Sequence, residues 1–320
     1  MPWRQDMELV SVIIPTYNGM RYLLESVQSV LNQTYPNFEV IVVDDGSSQD
    51  IRSVLAPVSD RVIYLRQDNA GVGAARNLGL GAAKGLYVVF LDDDDLWLPG
   101  NLESLVRIIE KEPNCALVYS YPSLIDENGK GIANERPTSM PSGDVYLEFL
   151  RRNRINTPSV ALLRKSCLDE VGFFNPNIFC EDYELWLRVT RKFKIIFCGE
   201  ELVCYRLRAG SVSKRYDSML DGHVTIINSE IARSDDLIGL DKNSVRNAAK
   251  LNLNDIYRKY ASIYYYDVKD RKKAKSCLSK ALKICPFDAQ SIVYYLLCSL
   301  PQPVFEPVIK VKRLLTKWSS

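Results

Sequence analysis

Four consecutive aspartates, at positions 92–95, follow the apolar run LYVVFL at 86–91. Like charges packed this closely repel one another and resist burial, so we expect something to compensate for them. A divalent cation would do so, because such ions are commonly held by one or two carboxylates together with the phosphate oxygens of a substrate. The spacing therefore predicts an oxygen-lined metal and diphosphate site at the end of a buried strand.

Two other interpretations of the acidic stretch stay open from the residues alone. The aspartates could form a solvated loop or cap the start of a helix, since Asp favours helix N-termini. They could also form the Mg²⁺ pocket of a response-regulator-type domain, which accepts a phosphoryl group. That pocket needs an acidic pair after the first strand, where this chain has PTYN at 15–18.

The first third of the chain alternates between strand-like and helix-like segments. Continuous β-branched runs predict buried strands, and apolar residues at helical spacing predict helices. The predicted strands are 9–15, 38–45, 61–67 and 86–91, and the predicted helices are 19–33, 71–85 and 99–111. This order predicts a parallel, doubly wound α/β sheet, in which ligands bind beyond the carboxyl ends of the strands. The polar segments TYNG, DDGSS, DNAGVG and DDDDLW follow those ends and could line one crevice.

Beyond residue 115 the alternation loosens. Strand-like segments lie at 115–121, 159–164 and 194–199, and a helix-like one at 180–193. From about 216 the chain is helical throughout. We therefore expect an α/β domain at 1–215, with a change of pattern near residue 115, followed by a helical region at 216–320.

The ordered motifs of the chain resemble those of family 2 glycosyltransferases, which have the GT-A fold. The matching segments are VSVIIPTYN, SVLNQTYPNFEVIVVDDGSSQD, NAGVGAARNLGLGAAKG, FLDDDDLWLPGNL and FCEDYELWLRV. The resemblance covers about residues 9–212, and several motifs in the same order make it specific. It implies a Rossmann-like, mainly parallel sheet flanked by helices, followed here by an all-helical C-terminal appendage. It also implies that the domain at 1–215 has a nucleotide-binding half at about 1–115 and an acceptor half at about 116–215.

The resemblance implies roles for the acidic stretch. Asp92 and Asp94 match the Asp-x-Asp motif of the family, in which Asp94 would ligate Mn²⁺ or Mg²⁺ and Asp92 would face the ribose and the metal shell. Asp93, in the middle position, would assist them. We expect Asp95 to cap the helix that follows. The acids would then be tolerated together because a dication and its diphosphate lie at their end of the strand.

Other segments match the nucleotide-binding positions of the family. Asp45 would accept a hydrogen bond from the base, commonly N3–H of uracil, while the neighbouring Asp44 would brace the loop. The remaining positions are Pro15, Thr16 and Tyr17, on the loop after the first strand, and Asn69, Gly71 and Arg76, near the ribose and diphosphate. A UDP-sugar is therefore the favoured donor.

The motif CEDYELW matches the segment that carries the catalytic base of the family. An acceptor hydroxyl is a poor nucleophile, and a carboxylate within hydrogen-bond reach can take its proton. Asp182 would be that base, and Glu181 would shape the site or raise the pKa of Asp182 by like-charge proximity. An ordinary acidic first turn of a helix is the alternative. Trp186, one turn along, could stack on a sugar ring or lie in the core.

The chain departs from the family pattern after Tyr205 and Arg206. Family members often have a histidine two residues on, where this chain has Arg208, while Ser211 and Ser213 keep the rest of the pattern. A third metal contact from this position is therefore in doubt. Arg208 could instead neutralise diphosphate charge directly, and Arg206 is a further candidate contact.

Composition and charge limit the classes of partner. The 41 basic and 39 acidic residues give a net charge of +2, so no global field favours nucleic acid. Eight cysteines without a CxxC pair and a single histidine argue against zinc and favour reduced structural thiols. No apolar run approaches the roughly 18 residues of a spanning helix, and the N-terminus has no signal-peptide layout. We therefore expect a cytoplasmic protein.

The helical region is locally basic. Residues 267–283 hold seven Lys/Arg against two Asp, and 301–320 hold four against one Glu, with Phe305 and Trp318. Such patches suit a peripheral contact with the inner face of a membrane, and a solvated helix face is the alternative. Small residues spaced along 260–288 resemble one tetratricopeptide-type helix pair, for which an ordinary helical hairpin is the simpler interpretation.

These features predict an inverting, metal-dependent glycosyltransferase that moves a sugar from a nucleotide-sugar to a saccharide or lipid-linked acceptor in surface polysaccharide or cell-wall synthesis. The chain lacks the Gln-x-x-Arg-Trp motif of processive synthases, so one sugar would be added per encounter. A sugar nucleotidyltransferase would need a Gly-rich loop with a basic residue after the first strand, which PTYNGM does not supply. A nucleotide-sugar-binding scaffold acting through its helical tail is disfavoured by the intact set of Asp92, Asp94 and Asp182.

Overall fold

The structure, a computed structural model, describes residues 7–134, 140–208, 214–235 and 239–299. The chain divides into two compact units, Met1–Lys214 and Arg215–Ser320. Ser211 and Ser213 lie outside the described residues, and so does the basic segment 301–320 with Phe305 and Trp318. The predicted roles of these residues therefore stay predictions.

The first unit is built on a sheet that starts with four parallel strands. They are β1 (Val10–Thr16), β2 (Phe38–Asp45), β3 (Ile63–Gln67) and β4 (Tyr87–Phe90), in the order β3-β2-β1-β4. All residues of β1 and β4 are buried, as expected of β-branched and aromatic strands covered on both faces. The four strands predicted from the sequence are all present.

The rest of the sheet is mixed. Its strands are β5 (Leu96–Trp97), β6 (Cys115–Ile125), β7 (Gly131–Ile132), β8 (Ala161–Arg164) and β9 (Lys194–Arg206). β8 pairs antiparallel with β4 and with β6, and β9 runs parallel to β6. The short strands β5 and β7 pair antiparallel with β9 and β6, respectively. The predicted fold class is confirmed, with the parallel arrangement confined to the first half and to the β6–β9 pair.

Helices cover the sheet of the first unit. They are α1 (Leu23–Leu31), α2 (Ile51–Leu55), α3 (Val72–Ala82), α4 (Asn101–Lys111), α5 (Tyr146–Arg151), α6 (Lys165–Val171) and α7 (Glu181–Lys192), with 3₁₀ turns at Ala56–Val58 and Pro158–Val160. α3 lies so close to the sheet that a Cβ atom at Gly79 would meet Cγ2 of Ile13 at 2.5 Å. At the other end of α3, the backbone N–H of its N-cap residue Gly71 donates to Asp45 Oδ2 at 2.9 Å, which places the start of the helix beside the end of β2.

The described part of the second unit consists of helices joined by short turns. It contains α8 (Tyr216–Arg233), α9 (Lys242–Tyr266), α10 (Arg271–Ile284) and α11 (Ala289–Ser299). Ala261, Ala274 and Ala281 are buried where α9 and α10 pack together. The tetratricopeptide-like character of this pair stays a prediction. Within the described ranges, no helix combines the length and apolarity needed to cross a bilayer.

Candidate active site

The four consecutive aspartates after β4 each have a different partner. The chain turns directly after the strand, where the backbone N–H of Asp95 donates to the carbonyl oxygen of Asp92 at 3.1 Å. The pairs are Asp92 with Arg76, Asp93 with Thr16, Asp94 with Arg208, and Asp95 with Ser159. The fold thus offsets part of the mutual repulsion with two guanidinium groups and two hydroxyl groups.

Asp95 does not cap a helix, and that prediction is wrong. Its side chain is completely buried and accepts hydrogen bonds from Ser159 Oγ at 2.6 Å and from the backbone N–H of Arg206 at 3.0 Å. Burial raises the pKa of Asp95 well above its ordinary value, and the charges of Asp92 and Asp94 raise it further. The short strand β5 separates it from α4, so the carboxyl instead joins the end of β4 to β9.

Arg76 connects the acidic turn to the start of α7. Its guanidinium donates to Asp92 Oδ1 at 2.7 Å and also pairs with Glu181, and its side chain is 4% exposed. Its Nε is buried without a hydrogen-bond partner among the residues described. The resemblance suggested a position beside the ribose and diphosphate. In the structure Arg76 holds the carboxylates of Asp92 and Glu181 together, and its position beside the ribose and diphosphate stays a prediction.

Asp182 lies in the first turn of α7, next to Glu181. Acidic residues are favoured there because helix N-termini carry partial positive charge. Burial raises the pKa of Asp182 to about 7, with a further contribution from the charge of Glu181, while Arg76 lowers it. The expected influence of Glu181 on this pKa is present, although burial is the larger cause. A carboxylate that titrates near neutrality can act as a general base.

The segment after β3 is organised around Asp45. The carboxylate of Asp45 accepts from Gln67 Nε2 at 2.7 Å and from the backbone N–H groups of Ala70 and Gly71 at 2.9 Å each. Asn69 Nδ2 donates to the backbone carbonyl of Asp45 at 3.0 Å. Three predicted nucleotide-binding residues, Asp45, Asn69 and Gly71, are therefore brought together, and Asp45 as the acceptor for a base stays a prediction.

The neighbouring Asp44 has the bracing contacts expected of it. Its buried carboxylate accepts from Tyr64 Oη at 2.6 Å and from the backbone N–H of Ser47 at 2.8 Å, and it pairs with Arg66. These bonds fix the turn after β2. The same turn also positions the loop after β1, because Ser47 Oγ accepts a hydrogen bond from the backbone N–H of Asn18 at 2.8 Å.

The loop after β1 starts later than the sequence suggested. Pro15 and Thr16 are buried residues of β1 itself, while Tyr17 is 54% exposed. Thr16 Oγ1 donates to Asp93 Oδ2 at 2.5 Å, and burial raises the pKa of Asp93 to about 7. Of the three residues predicted to pack a base, Tyr17 alone projects into solvent within this stretch.

Two predicted acceptor or diphosphate contacts are buried instead. Trp186 is 0% exposed and belongs to the core, so it cannot stack on a sugar in this structure. The side chain of Arg206 is 1% exposed and donates to the carbonyl oxygen of Asp94 at 2.8 Å and to Glu25 Oε2 at 2.8 Å. Arg206 therefore braces the acidic turn from β9 rather than reaching a ligand.

Arg208 lies at the surface beside the acids. It pairs with Asp94, and 35% of its side chain is exposed. A cleft of about 240 Å³ opens next to it, lined by Asn18, Gly19, Arg21, Tyr22, Asp93, Glu127 and Arg208. Sequence reasoning did not find Arg21 or Glu127. Glu127 lies on the turn between β6 and β7, and nothing in the sequence indicates that this turn comes beside β1.

The donor groups fit a cation that is completed by substrate phosphates. Across the described parts of the chain, no three or more His, Cys, Asp or Glu side chains form a closed metal site. A diphosphate-bound Mg²⁺ needs only one or two carboxylates, and Asp92 and Asp94 offer hard oxygen ligands that are 27% and 13% exposed. Burial and the charge of Asp92 raise the pKa of Asp94, so a cation there would relieve uncompensated negative charge.

The fold and this arrangement of acids define a GT-A-type α/β protein, and comparison with known proteins gives the family. A family model described as Glycosyl transferase family 2 matches residues 11–172. The Escherichia coli protein WfgD, a UDP-Glc:alpha-D-GlcNAc-diphosphoundecaprenol beta-1,3-glucosyltransferase, is 35% identical over 215 residues, which are 65% of this chain and 81% of WfgD. The chain belongs to glycosyltransferase family 2.

Solved structures share the fold at low identity. Residues 1–349 of Staphylococcus aureus TarS, in complex with UDP-GlcNAc, match with a TM-score of 0.68 at 18% identity, over 91% of this chain and 90% of that one. The mannosyltransferase PcManGT from Pyrobaculum calidifontis, in complex with GDP-Man and Mn²⁺, matches with a TM-score of 0.57 at 17% identity, over 99% and 89%. The chain spans between 31% and 66% of the length of the first five curated relatives that it matches, all from Rickettsia.

Proposed function

We propose that this protein transfers a sugar from a nucleotide-sugar to a hydroxyl group of a saccharide or lipid-linked acceptor in polysaccharide or glycan synthesis. The observation that carries the proposal is the bridge made by Arg76. It joins Asp92, in the acidic turn, to Glu181, the neighbour of a carboxyl with a pKa of about 7. The buried guanidinium group of Arg76 thus fixes the position of the acidic turn relative to the start of α7, which carries the candidate base.

The donor would lie along the ends of β1, β2 and β4. Asp45 would accept from the base, and the exposed ring of Tyr17 would pack on it. Asp94 and Asp92 would hold Mn²⁺ or Mg²⁺, which when bound would stabilise the leaving diphosphate as a Lewis acid. Arg208, which is partly exposed beside Asp94, would donate to a diphosphate oxygen.

Asp182 would take the proton of the acceptor hydroxyl. The hydroxyl oxygen would form a bond to the anomeric carbon while the bond from that carbon to the diphosphate oxygen breaks. The nucleoside diphosphate would leave with the bonding electrons, and the proton would remain on Asp182. Because attack and departure occur on opposite faces of one carbon, the anomeric configuration would invert.

A UDP-sugar is the favoured donor. The name of WfgD gives UDP-Glc as donor and a diphosphoundecaprenol-linked GlcNAc as acceptor, and the TarS structure contains UDP-GlcNAc. PcManGT, with GDP-Man, makes guanine the alternative to test. A lipid-diphosphate-linked saccharide is accordingly the first acceptor to try.

Thermal unfolding of the full chain with UDP, GDP or dTDP, each with and without Mn²⁺, tests the donor site. A ligand that binds only the folded state stabilises it by about 2.7 kcal/mol at 100 times its dissociation constant. We expect a shift with UDP that requires Mn²⁺ and is lost in Asp94→Asn, and retained in Asp169→Asn, a substitution on α6. Absence of a shift with all three nucleotides would overturn the proposed donor site.

A further inference from the structure

The helix α11 and the residues before it carry an apolar surface that sugar transfer does not use. Phe287 is 95% exposed, and Ile292, Val293 and Leu296 are 37%, 49% and 59% exposed. The last three lie on one side of α11 at i, i+3 and i, i+4 spacing, whereas the buried Ser291 and Cys298 lie on the other side. A contiguous apolar stripe of this kind marks an interaction site more often than scattered apolar residues do.

The helix α10, which packs beside α11, is basic. Residues 269–283 contain seven Lys/Arg and one Asp, and Lys272, Lys280 and Lys283 are exposed. Two cations reach α11 itself. The Nζ atom of Lys275 lies 5.0 Å from the centroid of the Tyr295 ring, and Arg271 donates to the carbonyl oxygen of Cys298 at 3.0 Å.

We propose that this α10–α11 face, formed by Phe287, Ile292, Val293, Leu296 and the α10 cations, docks on an anionic phospholipid surface. An apolar stripe bordered by Lys and Arg is the pattern of helices that lie in a membrane interface. Each Lys or Arg near an anionic surface strengthens partitioning roughly fivefold. Two copies of the same basic face would repel each other, which argues against self-association as the reason for the exposed stripe.

Vesicle flotation with the full chain tests the proposal without any need for turnover. We expect binding to vesicles of phosphatidylcholine with phosphatidylglycerol, weakened by salt, and little binding to phosphatidylcholine alone. The double substitution Val293→Ser, Leu296→Ser should weaken binding roughly tenfold or more, because both side chains would be buried in the interface. Lys272→Glu with Lys283→Glu should weaken it at least roughly 25-fold, and only on anionic vesicles.

Matched substitutions on α9 serve as controls. Leu251 is 37% exposed and Lys250 is exposed, so Leu251→Ser with Lys250→Glu should leave vesicle binding unchanged. Circular dichroism and thermal unfolding establish that each variant is folded. The proposal is overturned if anionic vesicles do not bind, or if binding survives every α10–α11 substitution. Conversion of a dimer to a monomer in these variants, with vesicle binding unchanged, would assign the face to a second copy instead.

Discussion

Asp182 occupies surroundings that suit proton transfer near neutral pH. Burial raises its pKa to about 7, the charge of Glu181 adds to that rise, and Arg76 opposes both. Arg76 itself pairs with Asp92 and Glu181. The balance of these three influences therefore leaves a carboxyl that ionises in the range where a general base works best.

The proposed base predicts a definite pH profile. The kcat/KM of the wild-type protein should rise about tenfold per pH unit below about 7 and level off above it, because only the ionised carboxylate accepts a proton. Asp182→Asn should lower kcat roughly 10²- to 10⁴-fold and abolish this limb. Glu184→Gln, in the same helical turn but paired with Arg188 at 2.8 Å, is the control and should keep the profile. An unchanged profile in Asp182→Asn would remove this residue from the mechanism.

Stability supplies an independent check on the same carboxyl. Its folded pKa lies above the ordinary value of 3.8, so folding favours the protonated form. The stability contributed by Asp182 is full below pH 4 and falls as pH rises toward 7. The stability of Asp182→Asn relative to the wild-type protein, measured by urea unfolding, should therefore increase as pH rises from about 4 to about 7. A difference that does not depend on pH would contradict the raised pKa.

The position of a residue was predictable where a sequence motif specifies it. Whether its side chain is buried or exposed was harder to predict. Asp45 ends the predicted strand β2, and Asp182 lies in the first turn of the predicted helix α7. Trp186 lies one turn along the helix from Asp182, yet that turn carries it inward to 0% exposure. Asp95 differs from its neighbours only in the direction of its side chain, which the turn after β4 determines. Sequence spacing alone does not give that direction.

The elements themselves followed from hydrophobic pattern when they were long. β1, β2 and β4 are continuous apolar runs, and their observed bounds differ from the predicted ones by one residue or less. β5, with two residues, carries no periodicity. β9 extends to Arg206, past its predicted end at 199, because its later residues pair with β6 and β5. The antiparallel pairing of β8 depends on contacts distant in sequence, which no local pattern specifies.

The contact between α3 and the sheet gives a prediction at the scale of elements. A Cβ atom at Gly79 would meet Cγ2 of Ile13 at 2.5 Å and Cγ2 of Val43 at 3.2 Å, whereas one at Gly81 would meet nothing within 4 Å. Gly79→Ala should destabilise the protein by about 1–3 kcal/mol through overpacking. Gly81→Ala, in the same helix, should stabilise it by about 0.5–1 kcal/mol through helix propensity. Urea unfolding measures both, and equal effects would show that α3 can shift away from β1.

At the scale of the whole molecule, neither of the two units is stabilised by a disulfide bond. All eight cysteines are free thiols, five of them buried. The first unit relies on buried strands and on carboxylates paired across β1, β4 and β9, and the second relies on aliphatic, tyrosine and alanine side chains buried between its helices. Both units should therefore keep their stability under reducing conditions.

Thiol titration tests this view of the whole chain. In denaturant without reductant, all eight cysteines should react with a disulfide reagent such as DTNB. In the folded protein, burial raises the pKa of Cys115 to about 11 and of Cys167 to about 12, so their thiolates are scarce and their reaction should be slow. Three cysteines are partly exposed, and burial raises the pKa of one of them, Cys198, to about 11, so the other two, Cys204 and Cys285, should give the fast phase. That phase should disappear in Cys204→Ser with Cys285→Ser and persist in Cys167→Ser. Fewer than eight thiols in denaturant would mean that a disulfide forms, and the unfolding midpoint would then depend on reductant.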